Sequence, residues 1–323
     1  MERLCLAFFI IFVFPALGYI CAVRAKRDGD PSRSEKLATL RIRLQSSAIF
    51  VLMPISALLS LWGLPRPEPN LFILPFLGLA AYVWGGLLSF GCARIMGMTA
   101  EQTGGFYCCG TFSNIGAVGS LVCLIFLGEN TIALVALYRI LEEIFYFGVS
   151  FPIAGAFSSR SRENNFVVKK SRVYPALAAI VAGLAAGLWL NYAGVARPAM
   201  MGVIASVAMF AATMILLFAI GMTLRVSSVW RYRGAGLVMC GIKFAGVPVA
   251  VTSLAWLLGL GDYDGGLIIK TVAILSSMPV AMTALVPPSL FGLDTDLANA
   301  CWIITTAGLI LVLPALIGIL PFI

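Results

Sequence analysis

The chain has 323 residues, of which 61% are hydrophobic and only 11% charged, with a net charge of +8. A soluble domain is about half apolar and about a quarter charged, so this composition excludes an ordinary water-soluble fold and points to lipid as the main solvent. The positive charge lies in short loops between apolar runs, which excludes a nucleic-acid surface and is explained by membrane topology.

A membrane-spanning helix needs roughly 20 mostly apolar residues. Apolar runs between polar breaks predict ten spans, at 4–23, 38–62, 71–95, 104–127, 130–157, 174–193, 199–224, 235–260, 265–290 and 296–320. The first has neither a basic leader nor an evident small-residue cleavage site, so it reads as a span rather than a signal peptide. Spans four and five are separated only by Gly128-Glu129-Asn130.

Lysine and arginine concentrate on the cytoplasmic side of membrane proteins. With ten spans, sixteen of the 22 basic residues share one side. They include Arg24, Arg27 and Lys36 after span one, Arg94 after span three, Arg160 to Arg172 after span five and Arg225 to Arg233 after span seven. Arg3, Arg66 and Arg197 lie on the other side, and Arg139, Lys243 and Lys270 fall within spans. Both termini are therefore expected outside. The fold expected is an all-α polytopic membrane protein of two inverted five-helix repeats, 1–157 and 174–323, joined by a cytoplasmic linker at 158–173. Compact length and short loops suggest a bacterial inner (cell) membrane.

Inverted-repeat carriers place their substrate where helices are interrupted at matching positions of the two halves. Span four carries Gly110, Gly116 and Gly119 around Ser113-Asn114-Ile115. Span nine carries Met278-Pro279-Val280 and Thr283, and Pro279 cannot donate a helical hydrogen bond. Half-helix ends and the Asn114 amide could receive a carboxylate-sized anion. The blander alternative is glycine packing and a proline kink. Substrate binding is assigned to Ser113, Asn114, Ile115, Gly116, Gly119, Met278, Pro279, Val280 and Thr283.

A second group is charged. Arg139, Glu142 and Glu143 in span five can share one helix face, and Lys243 lies in span eight. These four are candidates for coupling or gating, or for a structural ion-pair cluster. Lys270 is expected to snorkel or to pair with Asp262 or Asp264. The loop Trp230 to Arg233 reads as an interfacial anchor. Eight cysteines form no CxxC pair and no histidine is present, so no cofactor or metal is expected. With no recognisable catalytic motif either, an enzyme is not expected.

Pro15 and Gly18 in span one, Asn114-Ile115-Gly116 with Gly119 in span four, and Met278-Pro279-Val280-Ala281 in span nine resemble the auxin efflux carrier family. The stretch from Gly292-Leu293-Asp294 to Pro314 is similar to that family's last span and the loop leading into it. The resemblance implies a fold shared with bile acid:sodium symporters, in which spans 1, 2, 6 and 7 form a scaffold and spans 3–5 and 8–10 a transport domain. It implies a permease moving a small organic anion such as a mono- or dicarboxylate, with the substrate at the crossing of spans four and nine. It also implies membrane lipid as the surroundings and a possible homodimer. A sodium-coupled carrier and a binding sensor without turnover are the alternatives. Where the family often has a proline shortly after the span-four glycines, this chain has Leu121. Span four is therefore expected to be unwound by glycine alone, or to be less broken than its partner.

Overall fold

The computed structural model describes residues 2–27, 31–63, 69–158, 173–222, 224, 229–261 and 263–323. Helix dominates, and among the described residues the one β-type pairing is an isolated bridge between Ser113 and Val280. Six helical stretches are long and apolar enough to cross a membrane: Glu2–Ala25, Glu35–Trp62, Leu71–Ile95, Met200–Gly221, Arg233–Leu257 and Thr295–Phe322. Shorter apolar helices cover Ile115–Leu127, Val181–Tyr192 and Leu267–Ser276. This is the architecture of a helical membrane protein, whose spanning segments must satisfy their backbone internally.

Prolines shape several of these helices in one way. Phe9–Val13, Ala48–Leu52, Tyr146–Ser150 and Ile242–Gly246 are π-helical turns. Each is followed, after one intervening residue, by a proline: Pro15, Pro54, Pro152 and Pro248. A proline has no N–H for the carbonyl four residues back and crowds it. The preceding turn widens, and the residue before the proline bonds five back instead. Met53 donates to the Ala48 carbonyl, Phe151 to Tyr146 and Val247 to Ile242.

Two stretches expected to be helical are interrupted. The span-four stretch is helix over Ala100–Thr111, extended at Phe112 and Ser113, turned at Asn114, and helical again from Ile115. The span-nine stretch is helix over Leu267–Ser276, extended around Pro279, a 3-10 turn over Met282–Leu285 and helix over Val286–Phe291. Span four is thus fully broken without a proline. A third break, at Arg139–Leu141 between Thr131–Tyr138 and Glu142–Phe145, was not expected from the sequence.

The chain forms two compact units, each drawing on both halves of the sequence. One comprises Met1–Glu68, Gly116–Ala136 and Lys170–Leu224. Its core packs Leu59, Leu124, Ile132, Ala205 and Met209 together. Backbones touch where glycine allows it: a Cβ on Gly18 would lie 2.0 Å from the Phe218 carbonyl oxygen, and one on Gly221 2.0 Å from that of Pro15. At its loops, Arg197 forms an ion pair with Glu129. Ser60 donates to the Glu129 carbonyl at 2.9 Å and Trp62 Nε1 to that of Val195 at 2.8 Å.

The other unit comprises Pro69–Ile115, Leu137–Lys169 and Arg225–Ile323. An aromatic cluster of Tyr82, Phe112, Phe145, Tyr146 and Phe151 runs through it, with Phe112 edge-on to Tyr146 at 4.7 Å. Asp294 caps the Thr295–Ile319 helix by accepting from Leu297 N–H and also accepts from Tyr232 Oη at 2.6 Å. Asp294 N–H in turn donates to the Glu101 carbonyl, and Ser158 Oγ to that of Phe291. Of the expected linker, 159–172 lies outside the described residues.

Candidate functional site

The two interrupted helices cross through their extended segments in the second unit. Asn114 N–H donates to the Pro279 carbonyl at 2.7 Å, and Ala281 N–H to the Phe112 carbonyl at 3.0 Å. These two bonds flank the antiparallel bridge from Ser113 to Val280. That pair is therefore of the non-hydrogen-bonded kind, which leaves Val280 N–H to another acceptor. Thr305 Oγ1 accepts it at 3.2 Å while donating to the Cys301 carbonyl at 2.8 Å.

The breaks follow from local chemistry. Pro279 cannot donate to the Leu275 carbonyl, and Ser277 and Met278 N–H groups close on Ile274 and Leu275 instead. Ser276 and Ser277 hydroxyls donate to Val272 and Ala273 carbonyls at 2.7 Å each, satisfying the frayed last turn. On the other strand, the Ala100–Thr111 helix starts in a capping box between Thr99 and Gln102 and ends when Phe112 turns extended at φ −101°, ψ 129°. The gain of pairing with the opposite extended segment replaces the helical bonds lost there.

The crossing is buried: Ser113 is 5% exposed, Asn114 7%, and Val280 and Met278 0%. Among the described residues, the Asn114 side-chain nitrogen has no hydrogen-bond partner. A buried amide N–H left unpaired costs about 1–3 kcal/mol, so its place calls for an acceptor.

Lys243 reaches the same crossing from the Ile242–Gly246 π turn. Its Nζ donates to the Gly110 carbonyl at 2.6 Å and to Ser113 Oγ at 3.0 Å, and it is 0% exposed. Glycine makes this reach possible. A Cβ on Gly85 would lie 2.2 Å from the Gly110 carbonyl oxygen, and one on Gly110 1.5 Å from Ser89 Oγ. With both absent, the Leu74–Ile95 and Ala100–Thr111 helices touch backbone to backbone, and the Gly110 carbonyl stays open to the ammonium.

Of the expected substrate residues, Ser113, Asn114, Pro279 and Val280 come together at the crossing, with Met278 and Ile115 next to them in the chain. Thr283 contributes its carbonyl to Tyr146 Oη at 2.7 Å. Gly116 and Gly119 belong to the π turn Ile115–Gly119 and group with the first unit. Arg139 Nε pairs with Glu142 Oε2 at 2.8 Å across the break in that helix, whereas Lys243 binds neutral oxygens. The Glu143 side chain lies outside the described residues, as do those of Asp262 and Asp264. Lys270 Nζ donates to the Gly265 carbonyl at 2.8 Å.

Thr305 and the Gly85–Gly110 contact were not singled out from the sequence. Thr305 and Thr306 form an isolated polar pair in a long apolar helix, which is the signal that could have drawn attention to them. Among the described residues, no group of three or more histidine, cysteine, aspartate or glutamate side chains could hold a metal ion. No protein-family model matches the chain, and no curated protein matches it.

Proposed function

We propose that this protein is a secondary carrier that moves a small organic anion, such as a mono- or dicarboxylate, across a bacterial inner membrane by alternating access. The observation that carries the reading is the crossing itself: two interrupted helices, pinned by main-chain bonds, with a buried Asn114 side-chain nitrogen that has no hydrogen-bond partner among the described residues. Irregular backbone at membrane depth is tolerated where it is buried in protein or lines a cavity. In transporters such breaks form the substrate site. A buried amide donor suits a carboxylate. The resemblance to the auxin efflux carrier family points the same way.

The topology proposed is ten spans in two inverted repeats with both termini outside. Every loop contact described above supports it, because each joins loops that this topology puts on one side. Glu129 (between spans four and five) meets Arg197 (six and seven), and Trp62 (two and three) meets Val195 (six and seven). Asp294 (nine and ten) meets Glu101 (three and four) and Tyr232 (seven and eight), and Ser158 (five and six) meets Phe291 (nine and ten). One span too many or too few between any such pair would put its members on opposite sides.

The repeat relation has its own support. Span one packs on span seven through Gly18 and Gly221, and span six packs on span two through Gly183 and Gly187, against the Pro54 and Leu58 carbonyls. A twofold that exchanges the halves turns one contact into the other. The compact units also group spans one, two, six and seven apart from three, eight, nine and ten, as a scaffold and a transport domain would be. The segment Gly116–Ala136 groups with the scaffold set rather than with the transport set.

The test is ligand-dependent stabilisation of the purified protein against a panel of mono- and dicarboxylates. A ligand that binds only the folded state raises the unfolding temperature with its concentration. One or more carboxylates should do so in the wild type, and the effect should disappear in Asn114→Ala with the unliganded protein still folded. Undiminished stabilisation in Asn114→Ala would move the site away from the crossing.

A further inference from the structure

Among the described residues, Lys243 is the one fully buried cationic side chain at the crossing, and its partners are unusual. The ion pairs among the described residues join Arg139 to Glu142 and Arg197 to Glu129, and neither includes Lys243. Its Nζ instead contacts a carbonyl oxygen and a hydroxyl oxygen, Gly110 O and Ser113 Oγ. Such neutral oxygens are also the ligands of hard metal cations.

Three features make this an oxygen-lined cation position. Gly110 lies in the last turn of the twelve-residue Ala100–Thr111 helix, whose final carbonyls lack helical donors and carry the negative end of the helix dipole. The glycines at 85 and 110 hold that carbonyl open. The π turn made by Pro248 adds one residue to the helical turn bearing Lys243, and such bulges commonly re-aim a functional side chain. Ser113 belongs to the extended, paired segment, whereas Asn114 sits at the centre of a tight turn closed by Ile115 N–H on the Ser113 carbonyl at 2.8 Å. The Lys243 ammonium is held by oxygens of Gly110 and Ser113 and uses no atom of the Asn114 side chain.

We propose that the Lys243 ammonium is a tethered cation filling a monovalent-cation site at the crossing, so that the protein needs no dissolved sodium to stabilise its broken helices. The consequence for coupling rests on the carrier reading: transport is independent of sodium, and the positive charge at the crossing moves with the protein rather than with an ion. Truncating Lys243 leaves the Gly110 carbonyl, Ser113 Oγ and a space that a free cation can enter.

The test measures thermal unfolding of purified protein, without substrate, in choline chloride against sodium chloride or ethylammonium chloride at constant ionic strength. Wild type should not respond. Lys243→Ala should unfold at lower temperature in choline and recover by roughly 3–5 °C, saturably, in sodium or ethylammonium. Lys243→Met, which keeps the stem and fills the space, should be destabilised and unresponsive. The proposal is overturned if wild type shows a saturable sodium shift, if Lys243→Met is as stable as wild type, or if Lys243→Ala ignores both cations. It is equally overturned if both variants aggregate whichever cation is present. In proteoliposomes, wild-type uptake should be unchanged by replacing sodium with choline, and Lys243→Ala uptake should become sodium-dependent. Loss of all transport with the stability pattern intact would sink the carrier reading and leave the cation site standing.

Discussion

At the scale of single residues, the polar side chains hold ends and crossings that apolar packing cannot hold. Thr305 is the clearest case. Thr305→Val keeps the shape but leaves Val280 N–H without its acceptor, and a buried unpaired N–H costs about 1–3 kcal/mol. The variant should unfold at lower temperature in detergent, and an unchanged midpoint would mean that water takes the bond. Asp294 caps its helix and accepts from Tyr232, so Asp294→Ala should cost about 1 kcal/mol or more. Partial burial, and then Asp294, raises the Tyr232 pKa above its ordinary value. The contribution of a raised group is complete below its ordinary pKa, about 10 for tyrosine, and is lost only as pH climbs through the raised one. The stability difference between wild type and Tyr232→Phe should therefore be flat from about pH 6 to pH 9. Asn114 was legible in the sequence as a polar residue among glycines in an apolar run. Thr305 was not, because a threonine in a long helix usually returns its hydroxyl to its own backbone, and nothing local shows that it also serves another strand.

Among the elements, prolines and glycines decide where helices widen, break and touch. Four prolines sit just after π turns, and that link was open to reading from the sequence, since a proline's missing N–H must be absorbed by the turn before it. The break at Pro279 was readable for the same reason. The break in span four was expected at its glycines, yet it falls at Phe112–Asn114, which are not helix-breaking residues. The reason is tertiary: the opposing segment around Pro279 offers two main-chain partners, and no local propensity encodes them. Leu121 lies in unbroken helix beyond the break. The break at Arg139–Leu141 was likewise invisible locally, and the Arg139–Glu142 ion pair read as an i, i+3 helical pair now spans a turn. Gly85→Ala would drive a methyl into the Gly110 carbonyl 2.2 Å away. Overpacking of this kind costs about 1–3 kcal/mol, and it would also disturb the Lys243 contact. Gly91, with open space around it, provides the control: Gly91→Ala should be neutral or mildly stabilising in the same unfolding assay.

For the molecule as a whole, helical content and membrane character were set by composition alone, because 11% charged residues cannot cover a soluble surface of this size. The grouping of helices into two units that each draw on both halves of the chain was not readable from hydropathy, which reports where a helix is apolar and not which helix it meets. The ten-span topology predicts opposite outcomes for two reporter fusions in a bacterial host. Alkaline phosphatase joined after residue 129 should be exported and active, and joined after residue 97 it should be inactive. The reverse pattern, or equal activity, would break the topology. The account's central claim is turnover of a carboxylate at the crossing, and charge movement on a solid-supported membrane tests it most directly. Purified protein in proteoliposomes would be challenged with mono- and dicarboxylates, with radiolabel uptake covering electroneutral exchange. The account predicts transport that saturates with at least one anion and is lost in Asn114→Ala. Saturable transport that survives in Asn114→Ala would contradict the site, and stable carboxylate binding with neither current nor uptake would contradict the carrier.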